Sequence, residues 1–258
     1  MVARVLGVRG PVLVTGGAEA SGMAALAAAT RLIQTNAADV VIAGAAQALQ
    51  TPLLDHLRAQ GFSAKSPARP FDEAHGGFVP AEGGAYLVIE AEGHARERQA
   101  PIRGHIAGAG DVFDSTVEPV ATSEAPEAGR AMQAALGSAG YLQNQVDLVI
   151  SCADGRPAVD FADAYGIKRT FGRHAYFAGV TTAGAGLGHA LAASGPLSVA
   201  MALEAIARQQ VFPIAGFASH EPDLDLAYVT EPRSERLDCI LVTSLGLGGT
   251  DVALLLQR

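Results

Sequence analysis

The strongest constraint on the fold is an alternation of short apolar runs with alanine-rich segments of helical period. Eight runs have the length and composition of β-strands, over residues 12–14, 39–44, 85–90, 102–108, 147–151, 176–181, 238–244 and 251–256. Helices are predicted over residues 21–34, 124–140, 159–170 and 194–209. This alternation is typical of an α/β protein in which parallel strands are covered by helices.

Two of the predicted strands have similar sequences. Residues 39–44 (DVVIAG) and 147–151 (DLVIS) each consist of Asp, three apolar residues and then small residues, and a helix is predicted before each. Continuous apolar runs of this kind are typical of strands covered on both faces. The similarity hints at two related halves within the chain.

The composition argues against several classes of function. A net charge of −8 disfavours nucleic-acid binding, because phosphate backbones select for basic surfaces. No apolar run approaches the roughly 20 residues that span a bilayer, and the first ten residues lack the basic and apolar parts of a signal peptide. Cys152 and Cys239 form no spacing motif, so we expect a reduced, cytoplasmic chain, with a disulfide between them as the alternative.

Neither a metal site nor a cofactor site is predicted. The backbone N–H groups of residues 246–249 (GLGG) could cradle a phosphate, but the strand–GxxxxGK–helix context of a phosphate loop is missing. Six histidines are scattered without the spacing of metal ligands, and a surface or turn position is expected for each of them: His56, His75, His94, His105, His174 and His220.

Glu19 occupies a predicted strand–turn–helix junction, where several enzyme folds carry a nucleophilic Cys or Ser. A helix N-terminus favours the carboxylate form of Glu19, whereas burial in an apolar pocket would raise its pKa. The carboxylate therefore either caps the helix without any chemistry or acts as a polar plug or decarboxylation aid. His189 follows a glycine-rich stretch and is either a buried histidine bonded to the backbone or the partner of Glu19 in an acid/base couple.

Several segments, in one consistent order, resemble the β-ketoacyl synthase family of the thiolase fold. They are residues 8–11 (VRGP), 17–22 (GAEASG, resembling TACASG), 69–72 (RPFD), 77–85 (GFVPAEGGA), 188–195 (GHALAASG) and 244–250 (SLGLGGT). The resemblance covers essentially the whole chain and implies a layered α-β-α-β-α fold. It also implies a single thiolase-like domain over residues 1–258. Residues 1 to about 110 would be the remnant of an incomplete N-terminal half, and residues from about 111 to 258 the C-terminal half.

The chain departs from this resemblance at its expected catalytic positions. Glu19 stands where active members have the nucleophilic Cys, and Cys152 stands where they have the first of two catalytic His residues. Gly184 begins the segment that would carry a Lys, whereas His189 retains the second His. Leu245 and Leu247 are tunnel or gating candidates, with Leu247 in place of the family's gating Phe or, alternatively, an ordinary packed loop side chain.

Loss of the nucleophile on an otherwise intact frame resembles the chain length factors of type II polyketide synthases. The resemblance implies a non-catalytic subunit that pairs with an active ketosynthase and limits chain length, with the short aryl-polyene type favoured. The alternatives are a malonyl-carrier decarboxylase that uses Glu19 and His189, and a structural fragment that only stabilises a ketosynthase. No cofactor is implied.

The expected partners are an active ketosynthase in an obligate hetero-oligomer and, mainly through that partner, an acyl carrier protein. Strands expected before Glu19 are missing from the sequence, which predicts an uncovered apolar sheet face and edge around residues 40–48. A surface of this kind is normally paired with another chain. The acidic charge makes this chain a poor main dock for an acidic carrier protein.

Overall fold

The computed structural model describes residues 2–63, 67–113 and 126–258. The α-helices are α1 (Val2–Leu6), α2 (Ser21–Gln34), α3 (Thr51–Ala59), α4 (Glu92–Glu97), α5 (Pro126–Ala139), α6 (Pro157–Phe171), α7 (Gly184–Leu187) and α8 (Ser194–Arg208). The strands are β1 (Val40–Gln47), β2 (Gly83–Glu90), β3 (His105–Phe113), β4 (Leu148–Ile150), β5 (Gly179–Thr181), β6 (Gln210–Val211), β7 (Arg233–Ser234), β8 (Cys239–Leu245) and β9 (Thr250–Gln257).

The largest sheet has five strands in the order β3-β9-β8-β4-β5. Strand β4 is parallel to β5 and β8, whereas β9 is antiparallel to both β8 and β3. The prediction of parallel strands is therefore confirmed for β4, β5 and β8 but is wrong for β9 and β3. The reason is local, because only residues 246–249 connect β8 to β9, and such a short turn can join only antiparallel neighbours.

The chain packs in layers on either side of this sheet. One apolar core is formed by α2 and α8 between the five-stranded sheet and the two-stranded antiparallel sheet of β1 and β2. A second core lies on the opposite face of the five-stranded sheet, under α5 and α6. Four layers, sheet–helix–sheet–helix, are thus present among the described residues, and they hold the N-terminus of α2 close to the β8–β9 turn.

The β1–β2 sheet is apolar on both of its faces but covered on only one. Its inner residues pack against α2 and α8, whereas Ile42, Tyr86 and Val88 on the outer face are 45%, 61% and 59% exposed. The prediction that residues 39–44 are covered on both faces is therefore wrong for the described part of the chain. The expectation of an uncovered apolar sheet face is confirmed for these side chains.

The predicted strand over residues 12–14 does not form. Val12, Leu13 and Val14 have no regular secondary structure and pair with no strand of the described residues, and Val14 is 96% exposed. An apolar run becomes a strand only when a neighbour accepts its ladder hydrogen bonds, and propensity alone does not provide one.

The predicted helix over residues 21–34 is confirmed as α2, and the other three predicted helices are confirmed with small shifts of their ends. Residues 124–125, the predicted start of α5, lie outside the described residues. Strand β3 starts three residues later than predicted. Strand β5 also starts three residues later than predicted, because residue 176 ends a 3-10 helix over residues 172–176. Helices α1, α3, α4 and α7 and the two-residue strands β6 and β7 were not predicted from the sequence.

Candidate functional site

Glu19 lies on a sharp turn between an extended segment and α2. Gly17 and Ala18 both have positive φ angles, of 147° and 49°, and residues 18–20 form a 3-10 turn that leads directly into α2. The left-handed conformation of a non-glycine residue such as Ala18 costs about 1 kcal/mol and is typical of functional sites. Ser21 stabilises the turn by donating its hydroxyl to the carbonyl oxygen of Ala18 at 2.7 Å.

The carboxylate of Glu19 is buried and has two partners. Its Oε1 accepts a hydrogen bond from Nη1 of Arg156 at 3.1 Å, and its Oε2 accepts one from the backbone N–H of Leu247 at 3.1 Å. Glu19 therefore connects a buried cation to the turn between β8 and β9. Neither the 3-10 turn nor α2 has a side-chain cap. The alternative in which Glu19 caps the helix is therefore wrong.

Arg156 is the cation at the centre of the site. Its guanidinium group makes a forked contact with Asp154, with Nε at 3.0 Å and Nη2 at 2.8 Å from Oδ2. The rings of Phe78 and Phe62 lie 5.0 and 5.3 Å from its central carbon, within cation–π range. Burial by itself lowers the pKa of Arg156, but Asp154 and Glu19 raise it above its ordinary value, so the group stays charged.

His189 lies beside this network but is not hydrogen-bonded to Glu19. The backbone N–H of Leu191 donates to its Nδ1 at 3.3 Å, which assigns the remaining proton to Nε2, 3.5 Å from Asp154. Its ring packs against Phe78 with centroids 4.6 Å apart. Burial lowers the pKa of His189, with the charge of Arg156 acting in the same direction, so the imidazole is held neutral.

Cys152 and Gly184 lie on the opposite side of the same site. The backbone N–H of Cys152 donates to the Thr243 hydroxyl at 3.0 Å, and that of Gly184 donates to the Thr182 hydroxyl at 3.2 Å. Burial raises the pKa of the Cys152 thiol well above its ordinary value. The thiol is therefore not poised to form a thiolate.

The space between these groups is small. Five of the predicted site residues line one cavity of about 20 Å³, together with Arg156: Glu19, Cys152, Gly184, His189 and Leu245. A cavity of this volume holds about one water molecule. The fold thus brings these five predicted positions together around one cavity. Leu247, the sixth, joins the site because its backbone N–H donates to Glu19. The cavity leaves no room for an acyl chain.

Sequence reasoning missed two members of the site, Asp154 and Arg156. Both lie in the segment that follows Cys152, and both are buried, with 1% and 5% of their surface exposed. The available signal was their opposite charge at a spacing of two residues, in a segment where the resemblance expects small or hydroxyl-bearing residues. Pairing of this cation with Glu19 could not be read from the sequence, because the two residues are 137 positions apart.

Asp160 organises the segment behind the site. Its carboxylate accepts hydrogen bonds from the backbone N–H groups of Asp154, Gly155 and Phe71. It also contacts Nδ1 of His75 at 3.1 Å. His75 therefore does not lie on the surface, but it does lie in a turn, where its backbone N–H donates to the carbonyl oxygen of Asp72. The hydrogen bond to Asp160 raises the pKa of His75, whereas burial raises the pKa of Asp160.

The described ranges contain neither a membrane-spanning helix nor a metal-binding cluster. None of the helices there is long and apolar enough to cross a membrane. No group of three or more His, Cys, Asp or Glu side chains in the same ranges has the arrangement of a metal site.

Two family models match the chain in succession. The model for "Beta-ketoacyl synthase, N-terminal domain" matches residues 1–95, and the model for "Beta-ketoacyl synthase, C-terminal domain" matches residues 103–218.

Curated relatives come from Streptomyces species, among others. A protein named polyketide beta-ketoacyl synthase 2 of Streptomyces halstedii is 38% identical over 260 residues, which are 98% of this chain and 61% of the relative. A protein named polyketide beta-ketoacyl synthase 1 of Streptomyces cyaneus is 34% identical over 263 residues, which are 99% of this chain and 62% of the relative. The chain therefore spans less than two thirds of the length of these relatives.

Solved structures share the fold along the whole chain. The complex AntDE:AntF, described as a type II polyketide synthase acyl carrier protein with its ketosynthase, matches with a TM-score of 0.95 and 26% identity. The match covers 100% of this chain and 65% of the matched chain in that complex. The ishigamide ketosynthase/chain length factor matches with a TM-score of 0.91 and 23% identity, covering 100% of this chain and 63% of its own.

The two family models follow one another along most of the sequence, and the matched structures superpose along all of it. The chain therefore belongs to the β-ketoacyl synthase family and has its thiolase-like ketosynthase fold.

Proposed function

We propose that this chain is a non-catalytic chain length factor subunit. It pairs with an active β-ketoacyl-ACP synthase, stabilises that partner, and limits acyl chain length in type II polyketide biosynthesis of the aryl-polyene type. The observation that carries the proposal is the buried Glu19–Arg156 ion pair, which occupies the position where the family's nucleophile would stand.

The site chemistry supports a role without acyl transfer. A carboxylate is a far weaker nucleophile towards thioesters than a thiolate, and this carboxylate is held by two hydrogen bonds. Cys152 stands where a catalytic His would be, and its raised thiol pKa makes it unsuitable as a base at neutral pH. The cavity of about 20 Å³ is too small for a substrate.

The surface supports association with another chain. The outer face of the β1–β2 sheet exposes Val40, Ile42, Tyr86 and Val88, four large apolar side chains on two paired strands. Contiguous apolar patches of this kind typically mark protein interfaces. The complex AntDE:AntF is described as containing a ketosynthase and its carrier protein, and the ishigamide protein as a ketosynthase/chain length factor. These descriptions apply to those proteins and support a similar assembly here by analogy.

The charge of the chain suggests how a carrier protein would be used. With a net charge of −8 the chain offers little electrostatic attraction to an acidic carrier protein. The proposal therefore assigns the main carrier-protein contact to the partner ketosynthase. In the same scheme Leu245 and Leu247 contribute to the wall that ends the acyl tunnel.

Reconstitution tests the proposal. The cognate active ketosynthase is expressed with and without this chain, supplied with carrier protein and malonyl groups, and its products are measured by mass spectrometry at matched soluble enzyme concentration. We expect products of one dominant length with the chain, and a loss or broadening of that distribution without it. Equal product lengths at equal soluble yields would refute the chain-length role and leave only a structural one.

A matched variant separates the decarboxylase alternative. Glu19→Ala removes the carboxylate that this alternative requires, and the same assay reports release of carbon dioxide from malonyl-carrier protein. We expect unchanged decarboxylation because His189 and Glu19 are not bonded to one another. A decrease of ten-fold or more would favour the enzyme instead.

A further inference from the structure

The contacts of Glu19 have a mechanical consequence for the turn between β8 and β9. This turn, residues 246–249, directly follows Leu245, and Leu245 lines the cavity. Only two backbone hydrogen bonds close it internally, from Gly246 to Thr250 and from Gly249 to Gly246. The backbone N–H of Leu247 takes part in neither of these bonds and instead donates to Glu19, which connects the tip of the turn to the rest of the site.

The tie runs through charged groups that are themselves fixed. Leu247 N–H donates to Oε2 of Glu19, and Oε1 of Glu19 is held by Arg156. Arg156 is in turn held by Asp154, whose backbone N–H is bonded to Asp160. Hydrogen bonds to an ionised acceptor are roughly twice as strong as neutral ones, and burial removes the competition of water.

The packing around the turn agrees with a closed position. A Cβ atom added at Gly246 would lie 2.3 Å from the carbonyl oxygen of Gly17, so the turn is in close backbone contact with the segment that carries Glu19. The aromatic rings of Phe62 and Phe78 confine the guanidinium group from its other sides. Arg156 is therefore held in an arrangement in which Nε and Nη2 bind Asp154 while Nη1 donates to Glu19.

We propose that Arg156 is a positioning residue which, through Glu19, latches the tip of the β8–β9 turn in a closed conformation. The carboxylate at position 19 has a structural task in this arrangement, since it joins the buried cation to the N–H of Leu247. The backbone of Leu247 is thereby held in one position. This inference concerns the conformation of the turn and stands independently of the proposed chain-length function.

Amide hydrogen exchange, measured by NMR on the full chain or on its complex with the partner subunit, tests the latch. Glu19→Ala removes the acceptor, and Arg156→Met removes the cation that holds it. In both variants we expect exchange at Leu247 to become about 10- to 100-fold faster, which corresponds to loss of one hydrogen bond to a charged group. The turn amide of Gly140, bonded to Gly137 at a remote site, should keep its rate.

Two controls keep the test decisive. Arg208→Met removes an exposed arginine that pairs with Glu204 on the surface of α8, and it should leave exchange at Leu247 unchanged. If Arg156→Met does not fold, Arg156→Lys replaces it, because an ammonium group keeps the charge but cannot serve both carboxylates with the same fork. The proposal is overturned if Leu247 keeps its wild-type rate in the Arg156 variant, or if Gly140 accelerates by the same factor.

Discussion

Asp163, directly behind the site, gives the most quantitative prediction. It lies on α6 with no exposed surface, and its Oδ2 accepts hydrogen bonds from the hydroxyls of Thr243, at 3.0 Å, and of Ser151. Its Oδ1 has no hydrogen-bond partner among the described residues. Burial raises the pKa of Asp163 from 3.8 to about 6, although the two hydroxyls oppose the shift.

The sign and size of the pH effect follow from this shift. Because the folded-state pKa lies above the unfolded value, the folded chain binds the extra proton. Its stabilising contribution is complete below pH 3.8 and is lost as the pH rises through about 6. At about 1.4 kcal/mol per pKa unit, the full effect is about 3 kcal/mol, of which about 2 kcal/mol falls between pH 4.5 and 7.5.

The perturbation is Asp163→Asn, which keeps an oxygen for the two hydroxyls but does not titrate. Free energies of unfolding are measured by urea denaturation at half-unit intervals from pH 4.5 to 7.5 for both proteins. As the pH rises from 4.5 to 7.5, we expect the free energy of unfolding of Asp163→Asn to increase by about 2 kcal/mol relative to that of the wild type. This change is expected whatever the difference between the two proteins at any single pH. The exposed Asp55→Asn variant is the matched control for loss of one carboxylate.

The result that would refute this reasoning is a pair of parallel curves. A constant difference between Asp163→Asn and wild type would mean that Asp163 titrates alike in the folded and unfolded states. Burial would then not control its protonation. A shift in the opposite direction would mean that the carboxylate is stabilised by a contact that the structure does not contain.

Further predictions concern the ion pair and the glycine contacts. Arg156→Met should lower the free energy of unfolding by about 3–5 kcal/mol, because it leaves buried carboxylates without their cation. Adding Glu19→Gln should recover part of this loss, and strictly additive effects in urea denaturation would contradict a direct pair. Glu19→Cys should show no acyl-enzyme by intact mass after incubation with an acylated carrier protein, because the cavity of about 20 Å³ leaves no room for an acyl chain; acylation would overturn this. Gly22→Ala places a Cβ 2.2 Å from a backbone carbonyl oxygen and should cost about 1–3 kcal/mol in thermal unfolding. Gly137→Ala, with open space around it, should instead stabilise α5 by about 0.5–1 kcal/mol, and equal effects of the two would contradict the packing argument.

Local patterns in the sequence were sufficient for most of the elements. Apolar period and glycine placement predict α2, α6 and α8 within a few residues, because these signals depend on near neighbours along the chain. The ordered segments that resemble the β-ketoacyl synthase family also predict the fold. They further predict that positions 19, 152, 184 and 189 come together, and the structure places all four around one cavity.

Only the tertiary structure decided what those positions do. Residues 12–14 have the composition of a strand but no neighbour to complete it, and β9 reverses direction because its turn is short. Glu19 finds a cation 137 residues away, since packing of α2 against the five-stranded sheet brings two distant segments within hydrogen-bond reach. Charge pairing, burial and pKa depend on such non-local distances. The sequence by itself therefore determined that a carboxylate stands at position 19, whereas the fold determined that this carboxylate is paired, buried and bonded to the turn above it.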